Sequence, residues 1–352
     1  MVRIAGLLVA LLFSASSSEA QFYKDKTLVW LINYGAGGNA DTEGRVYARH
    51  IGKHIPGQPQ IIIQNAPGAG GYGALNTLGL NRKSDGLTGG FFTVSAVGPA
   101  IDDPALKVKL HEFQLIGGAA GWTVVYARRD TKPGIATATD LAKAEMIFAG
   151  GYARNSSHDA RLTLALETMG LKHKLVTGFP GANDINKAFQ AGEVNLTASS
   201  LPQYQNTIVP NVISSGLGIA LFHYSVVGKD GKPAGNPVLE AQGIPPFHVF
   251  HAKAFGREPA GVKWEALLLL NDIGTKLQRA IVLPAGSPAE AVADLRRGFE
   301  GLRGDAAFTE EFKRVTGSEP DLVSASEAEP LLTRMAQVKP EIRAALQAAT
   351  RE

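Results

Sequence analysis

Short apolar runs alternate with helical periodicities along most of the chain. Thr27-Leu28-Val29-Trp30-Leu31-Ile32 is a continuous apolar run, the kind shown by a strand buried on both faces. Glycines follow at Gly35, Gly37 and Gly38, then a helical stretch to about residue 54. Ile61-Ile62-Ile63 repeats the arrangement, with a glycine-rich loop over 65–73 and a helix-like stretch over 74–80. Further strands are predicted at 90–95, near 115, and at 123–127, 145–149, 174–176, 194–198 and 279–283. Helices are predicted at 140–143, 159–169, 181–191 (with its leading loop), 264–277, 289–302, 306–316, and 325–350 with a break near Pro340. The stretch 221–261 is rich in Gly, Pro and His and carries no assignable pattern. Strands alternating with crossover helices predict an α/β chain with mostly parallel sheets.

The first twenty residues differ from this pattern. Arg3 precedes an apolar run from Ile4 to Phe13, and small residues at Ser18 and Ala20 leave a cleavage point before Gln21. The run is too short to span a bilayer, so residues 1–20 read as a secretory signal peptide and the expected location is the periplasm. The absence of cysteine excludes a disulfide framework and thiolate chemistry. The mature chain, roughly 330 residues, is long enough for two domains of ordinary size. A net charge of +3 with no basic block gives no ground for nucleic acid as a partner.

Gly68-Ala69-Gly70-Gly71-Tyr72-Gly73 fits the dinucleotide pattern G-x-G-x-x-G, yet its context is wrong. That motif needs its first glycine at the strand's end and an acidic residue about 20 positions later. Here Asn65-Ala66-Pro67 intervenes, and the window after Gly73 offers only Asp85, inside a Ser-Asp-Gly turn. No cofactor is expected. The physics of the junction is still informative. Glycines let backbone approach a ligand closely, and a helix amino end presents unpaired N–H groups and partial positive charge. Three glycine-rich strand–loop–helix junctions, at 35–42, 65–73 and 150–158, with a fourth at 179–184, point to a cleft for an anion, carboxylate included.

"LINYGAGGNADTEGR" resembles the first glycine loop of the tripartite tricarboxylate transporter solute receptors, the TctC/Bug family. "IIIQNAPGAGGYGA" is similar to that family's second loop, and "LPAGSPAEAVADLRRGFEGLRGDAAFTEEFKRVTG" resembles its C-terminal segment. The resemblance implies an α/β fold of the periplasmic-binding-protein-like type II, two α/β lobes with a ligand cleft between them. It implies a monomeric, non-catalytic receptor for a small carboxylic acid, whose partners are the permease subunits of a tripartite tricarboxylate-type transporter. Residues 21–121 and 279–352 would form lobe one, and 122–278 lobe two.

Carried over position by position, the resemblance places Tyr34, Gly35, Ala36, Gly37, Gly38, Asn39 and Asp41 in the first-lobe site, with Asn65, Gly68, Ala69 and Gly70. Ser95 follows the third strand and is expected to face the same cleft. The second lobe would add Gly151, Asn155, Ser156, Ser157, His158, Phe179, Gly181 and Ser199. Asp41 has an equally good structural role at a helix start. The absence of Arg or Lys from 35–42 and 65–73, with only Arg154 near a proposed loop, predicts an acid held mainly by backbone N–H groups. A bulky residue at Gly70 is then expected to block the acid. Ala66, Leu87 and Phe179-Pro180 depart from the family pattern, which leaves the identity of the acid open.

An exported hydrolase or cofactor-binding α/β enzyme is the alternative. His158 lies beside Ser156 and Ser157, but no G-x-S-x-G elbow is present, and a polar contact to the anion is the better reading. His223, His248 and His251 lack metal-ligand spacing and are expected to be solvent-exposed.

Overall fold

A computed structural model describes residues 21–351, so the signal-peptide reading of 1–20 lies outside the described residues. β1 (Thr27–Ile32) opens the first sheet with Leu28, Trp30, Leu31 and Ile32 fully buried, as an apolar run covered on both faces requires. α1 (Asn39–Ile51) crosses to β2 (Gln60–Asn65), which pairs parallel with β1. α2 (Tyr72–Asn76) widens into a π-helical turn at Thr77–Asn81 and leads to β3 (Thr88–Thr93), parallel on the other side of β1. α3 (Val97–Ile101) and β4 (Gln114–Ala119) end this first pass.

The chain then leaves for a second sheet as β5 (Thr123–Arg128). β6 (Ile147–Gly150), α4 (Ser157–Met169), β7 (His173–Val176), α5 (Ala182–Ala191) and β8 (Leu196–Ser200) come next in βαβ fashion. The one-turn α6 (Leu201–Gln203) runs into a π-helical stretch at Tyr204–Ile213, and β9 (Gly218–His223) completes the order β7-β6-β8-β5-β9. The patternless stretch resolves into a hairpin of β10 (Val226–Val227) and β11 (Pro233–Ala234), then α7 (Pro237–Ala241), α8 (Phe247–Phe255) and α9 (Val262–Lys276). β12 (Arg279–Leu283) returns to the first sheet between β3 and β4. α10 (Ala289–Gly301), α11 (Ala306–Thr316), β13 (Leu322–Ser324) beside β4, α12 (Ala325–Ala336) and α13 (Pro340–Arg351) finish the chain.

The sheets are mixed, not mostly parallel. β12 runs antiparallel to β3 and β4, β13 to β4, and β5 to β8 and β9. The cause is the double crossing: the strand that leaves a sheet and the strand that returns to it run in opposite directions. The two crossings lie side by side, with the Gly121 N–H donating to the Thr275 carbonyl at 2.8 Å. One hydrophobic core joins the two α/β lobes, from Leu31 and Phe92 to Leu164, Phe222 and Leu267. α4 packs on α9, and α13 lies against both.

The histidines also depart from expectation, since His223 and His251 are buried. His223 Nδ1 donates to the Ile244 carbonyl at 2.9 Å, while its Nε2 accepts the Asn236 N–H at 2.8 Å. That pairing needs the neutral ring, and burial pushes its pKa down to about 4. His251 Nδ1 is 2.8 Å from the Arg257 carbonyl. Both rings tie down the segment that lacked a sequence pattern.

Candidate ligand-binding cleft

Between the two sheets lies a cavity of about 310 Å³, within the range of small-molecule sites. The first lobe supplies Tyr34, Gly35, Ala36, Gly38 and Asn39 from the β1–α1 junction, and Ser95 from beyond β3. The second supplies Ser157 and His158 from the start of α4, Gly181 before α5, and Ser199 at the end of β8. These sequence-predicted residues therefore meet in one place.

Two helices reach the cavity with uncapped amino ends. α1 begins after Gly38 and α5 after Gly181, neither with a side-chain cap, and Asn39, Ala40, Ala182 and Asn183 line the wall. First-turn N–H groups at such ends lack intrahelical partners and carry partial positive charge. α4 is different: Ser156 is fully buried and its Oγ accepts the Asp159 N–H at 3.2 Å. Ser156 is a cap rather than a cavity residue.

The lobes touch across the cavity. Asn39 Nδ2 donates to Ser200 Oγ at 2.6 Å, and Ser95 Oγ lies 3.2 Å from Ser157 Oγ. Tyr34 and Tyr152 meet edge to face at 6.0 Å, and Tyr152 packs on His158 at 4.8 Å. Burial pushes the Tyr34 phenol up to about 12, so it remains a hydrogen-bond donor at neutral pH. His158 Nδ1 is 3.0 Å from Asp159 Oδ1, and Nε2 is 3.2 Å from the Ala198 carbonyl. Neither ring nitrogen of His158 pairs with the hydroxyl of Ser156 or Ser157.

Several predicted residues brace the cleft without lining it. Asp41 Oδ2 accepts the Gly37 N–H at 2.9 Å, and Asp41 also receives Arg45 Nε at 3.0 Å and Asn65 Nδ2 at 2.9 Å. Burial raises its pKa, but these donors outweigh burial and hold it below the usual carboxylate value. Asp41, Asn65 and Gly37 thus fix the first glycine loop. Gly68, Ala69 and Gly70 form a turn with positive φ throughout. Gly70 abuts the other lobe: a Cβ there would sit 2.9 Å from Asn155 Oδ1. Gly70 does not line the cavity and meets Asn155 of the other lobe. Gly151 packs against the Asp159 carboxylate, and Phe179 packs into a core cluster of the second lobe while Pro180 faces the cavity.

Two arginines outside those glycine loops also reach the cavity wall. Arg154 does not line the cavity, but Arg161 and Arg279 do, at 8% and 4% exposure. Arg279 pairs with Glu43 at 2.9 Å, both side chains being 5% exposed. Arg161, one turn beyond Ser157 on α4, donates from Nε to the Ser157 carbonyl at 3.1 Å and lies 4.9 Å from the centre of the Tyr224 ring. Its signal in the sequence is faint: one cation within the apolar helix "SHDARLTLALETM". Tyr152, Gly274 and Gln278 also line the wall unpredicted, the last two from α9 and the link that follows it.

No protein-family model matches the sequence, and no curated protein matches it. Solved structures do. The periplasmic binding protein BugD superposes with a TM-score of 0.64 at 18% identity, covering 93% of this chain and 97% of its own. MatC from Rhodopseudomonas palustris, with bound malate, gives 0.63 at 17% identity over 92% and 99%. A second R. palustris protein, with adipate, gives 0.63 at 15% identity over 92% and 97%. With its strand order and interlobe cavity, the chain has the two-lobed fold of these periplasmic solute-binding proteins.

Proposed function

We propose that this protein is a periplasmic receptor that holds a small carboxylic acid between its lobes and delivers it to a tripartite tricarboxylate-type permease. One observation carries the reading: two uncapped helix amino ends, from opposite lobes, face a single cavity. Residues 21–121 with 279–352 are proposed as one lobe and 122–278 as the other. The fold likeness to proteins solved with malate and adipate supports a carboxylate ligand. Export rests on the sequence of residues 1–20, and no helix among the described residues is long and apolar enough to cross a membrane.

A thermal-shift screen of the processed protein against mono-, di- and tricarboxylic and aromatic acids tests this. An acid at 100 times its Kd adds about 2.7 kcal/mol of apparent stability, a shift of roughly 4 °C for a chain of this length. The acid must be recovered unchanged. A panel without any shift, or an acid consumed during incubation, overturns the reading.

A further inference from the structure

Of the two arginines in the cavity wall, one has its counter-charge and the other does not. Arg279 has Glu43, whereas Arg161 makes no ion pair among the described residues and its Nη1 has no hydrogen-bond partner. The carboxylate nearest in sequence, Asp159, is held through Oδ1 by the Tyr152 N–H at 2.9 Å, Ser156 Oγ at 2.9 Å and His158 Nδ1 at 3.0 Å, while its Oδ2 is buried without a partner and makes no ion pair with Arg161. A guanidinium this buried without a partner is costly to keep, and burial lowers its pKa despite the nearby Tyr224 and Tyr34. Polar atoms without partners also lie behind the cavity wall, on α9 and at Tyr224. Asn271 and Thr275 of α9 are buried with unsatisfied side chains, as is the Tyr224 hydroxyl. Between them Gly274 leaves the wall open, for a Cβ there would meet only Arg161 Nη1, at 3.6 Å, and Cζ, at 3.9 Å.

The position of this end matters as much as its charge. Asn39, at the amino end of α1, bonds Ser200 of β8, and Ser200 stands opposite Thr123 of β5. Arg161 lies over Tyr224, whose N–H donates to the Thr123 carbonyl from the β9 side. The α1 end therefore reaches β5 from the β8 side, and Arg161 lies beside a residue that reaches β5 from the β9 side.

We propose that Arg161 is the specificity-determining residue of the cleft, receiving a second anionic group at the far end of an acid whose first carboxylate sits at α1. The preferred ligands are then α,ω-dicarboxylates, and acids with an uncharged tail are discriminated against. This rests on the reading of the cleft as a carboxylic-acid site.

Calorimetric titration with glutarate and adipate against pentanoate and hexanoate separates the two claims. Wild-type protein binds each dicarboxylate about tenfold or more tightly than the monocarboxylate of equal chain length, the worth of one hydrogen-bonded charge. Arg161→Gln loses that preference: the ratio of dicarboxylate to monocarboxylate affinity falls to within about twofold of one. Gly274→Leu, which fills the space beside Nη1 and keeps the charge, does the same and serves if Arg161→Gln does not fold. Equal affinity for both series in wild-type protein overturns the proposal and leaves the carboxylate reading standing. So does a preference that survives both variants. Binding of neither series overturns both.

Discussion

Glu43→Gln is the most informative single change away from the proposed ligand contacts. The Glu43–Arg279 pair joins α1 to the first residue of β12 at 2.9 Å, with both side chains 5% exposed. Glutamine keeps the volume and removes the charge, leaving Arg279 buried and uncompensated. Breaking a buried pair in this way costs about 3–5 kcal/mol. At about 1.5 °C per kcal/mol for a chain of roughly 330 residues, the melting temperature falls by about 4–8 °C. Because Arg279 lines the cavity, the charge it regains faces any bound acid. A saturating acid therefore raises the variant's melting temperature by more than it raises wild type's. The double variant Glu43→Gln/Arg279→Gln buries no unpaired charge and melts above Glu43→Gln alone. Scanning calorimetry with and without acid measures all of this. A fall under about 2 °C, or a double variant less stable than the single, would show that the pair does not hold the two elements together.

His223 is neutral in the fold with a pKa of about 4 against 6.5 when exposed, so the unfolded chain takes up the proton first and stability declines as pH drops from 6.5 towards 4. The loss is about 3 kcal/mol; denaturant melts across that range check it, and His223→Asn should flatten the slope. Gly70→Leu, at φ 63 and against Asn155, is expected to cost about 1–2 kcal/mol in the fold and loosen the lobe contact, with acid still bound at unit stoichiometry in calorimetry. Asp41→Ala frees the Gly37 N–H, Arg45 and Asn65 together, lowering stability by about 1–2 kcal/mol in chemical denaturation and weakening acid binding through a slack first loop.

The parts of the fold legible in the sequence were those with a local cause. β1 and β2 were visible as apolar runs, and the helices after them as periodic stretches following glycine loops. The cavity positions Gly35, Ala36, Gly38, Asn39, Ser157, His158 and Gly181 were legible because helix amino ends announce themselves in glycine and small polar residues. Features that depended on distant partners were not. β13 is three residues long and exists because β4 offers an edge. The direction of β12 is set by the return crossing, which no window of sequence contains. Arg161 looks like an anomaly in a core helix until α9 and Tyr224 are brought to it. Gly70 and Asp41 show the converse: loop chemistry that suits a ligand equally suits the lobe contact of the one and the loop-bracing hydrogen bonds of the other.

The central claim is a location: an acid bound between the amino ends of α1 and α5. The most direct measurement is a crystal structure of the processed protein grown with the acid that gives the largest thermal shift. The account predicts density for that acid inside the cavity, with one carboxylate within hydrogen-bond reach of the first-turn N–H groups of α1 and with Ser157, His158 and Ser199 around it. Density at any other place, or an empty cavity at saturating acid, would contradict it.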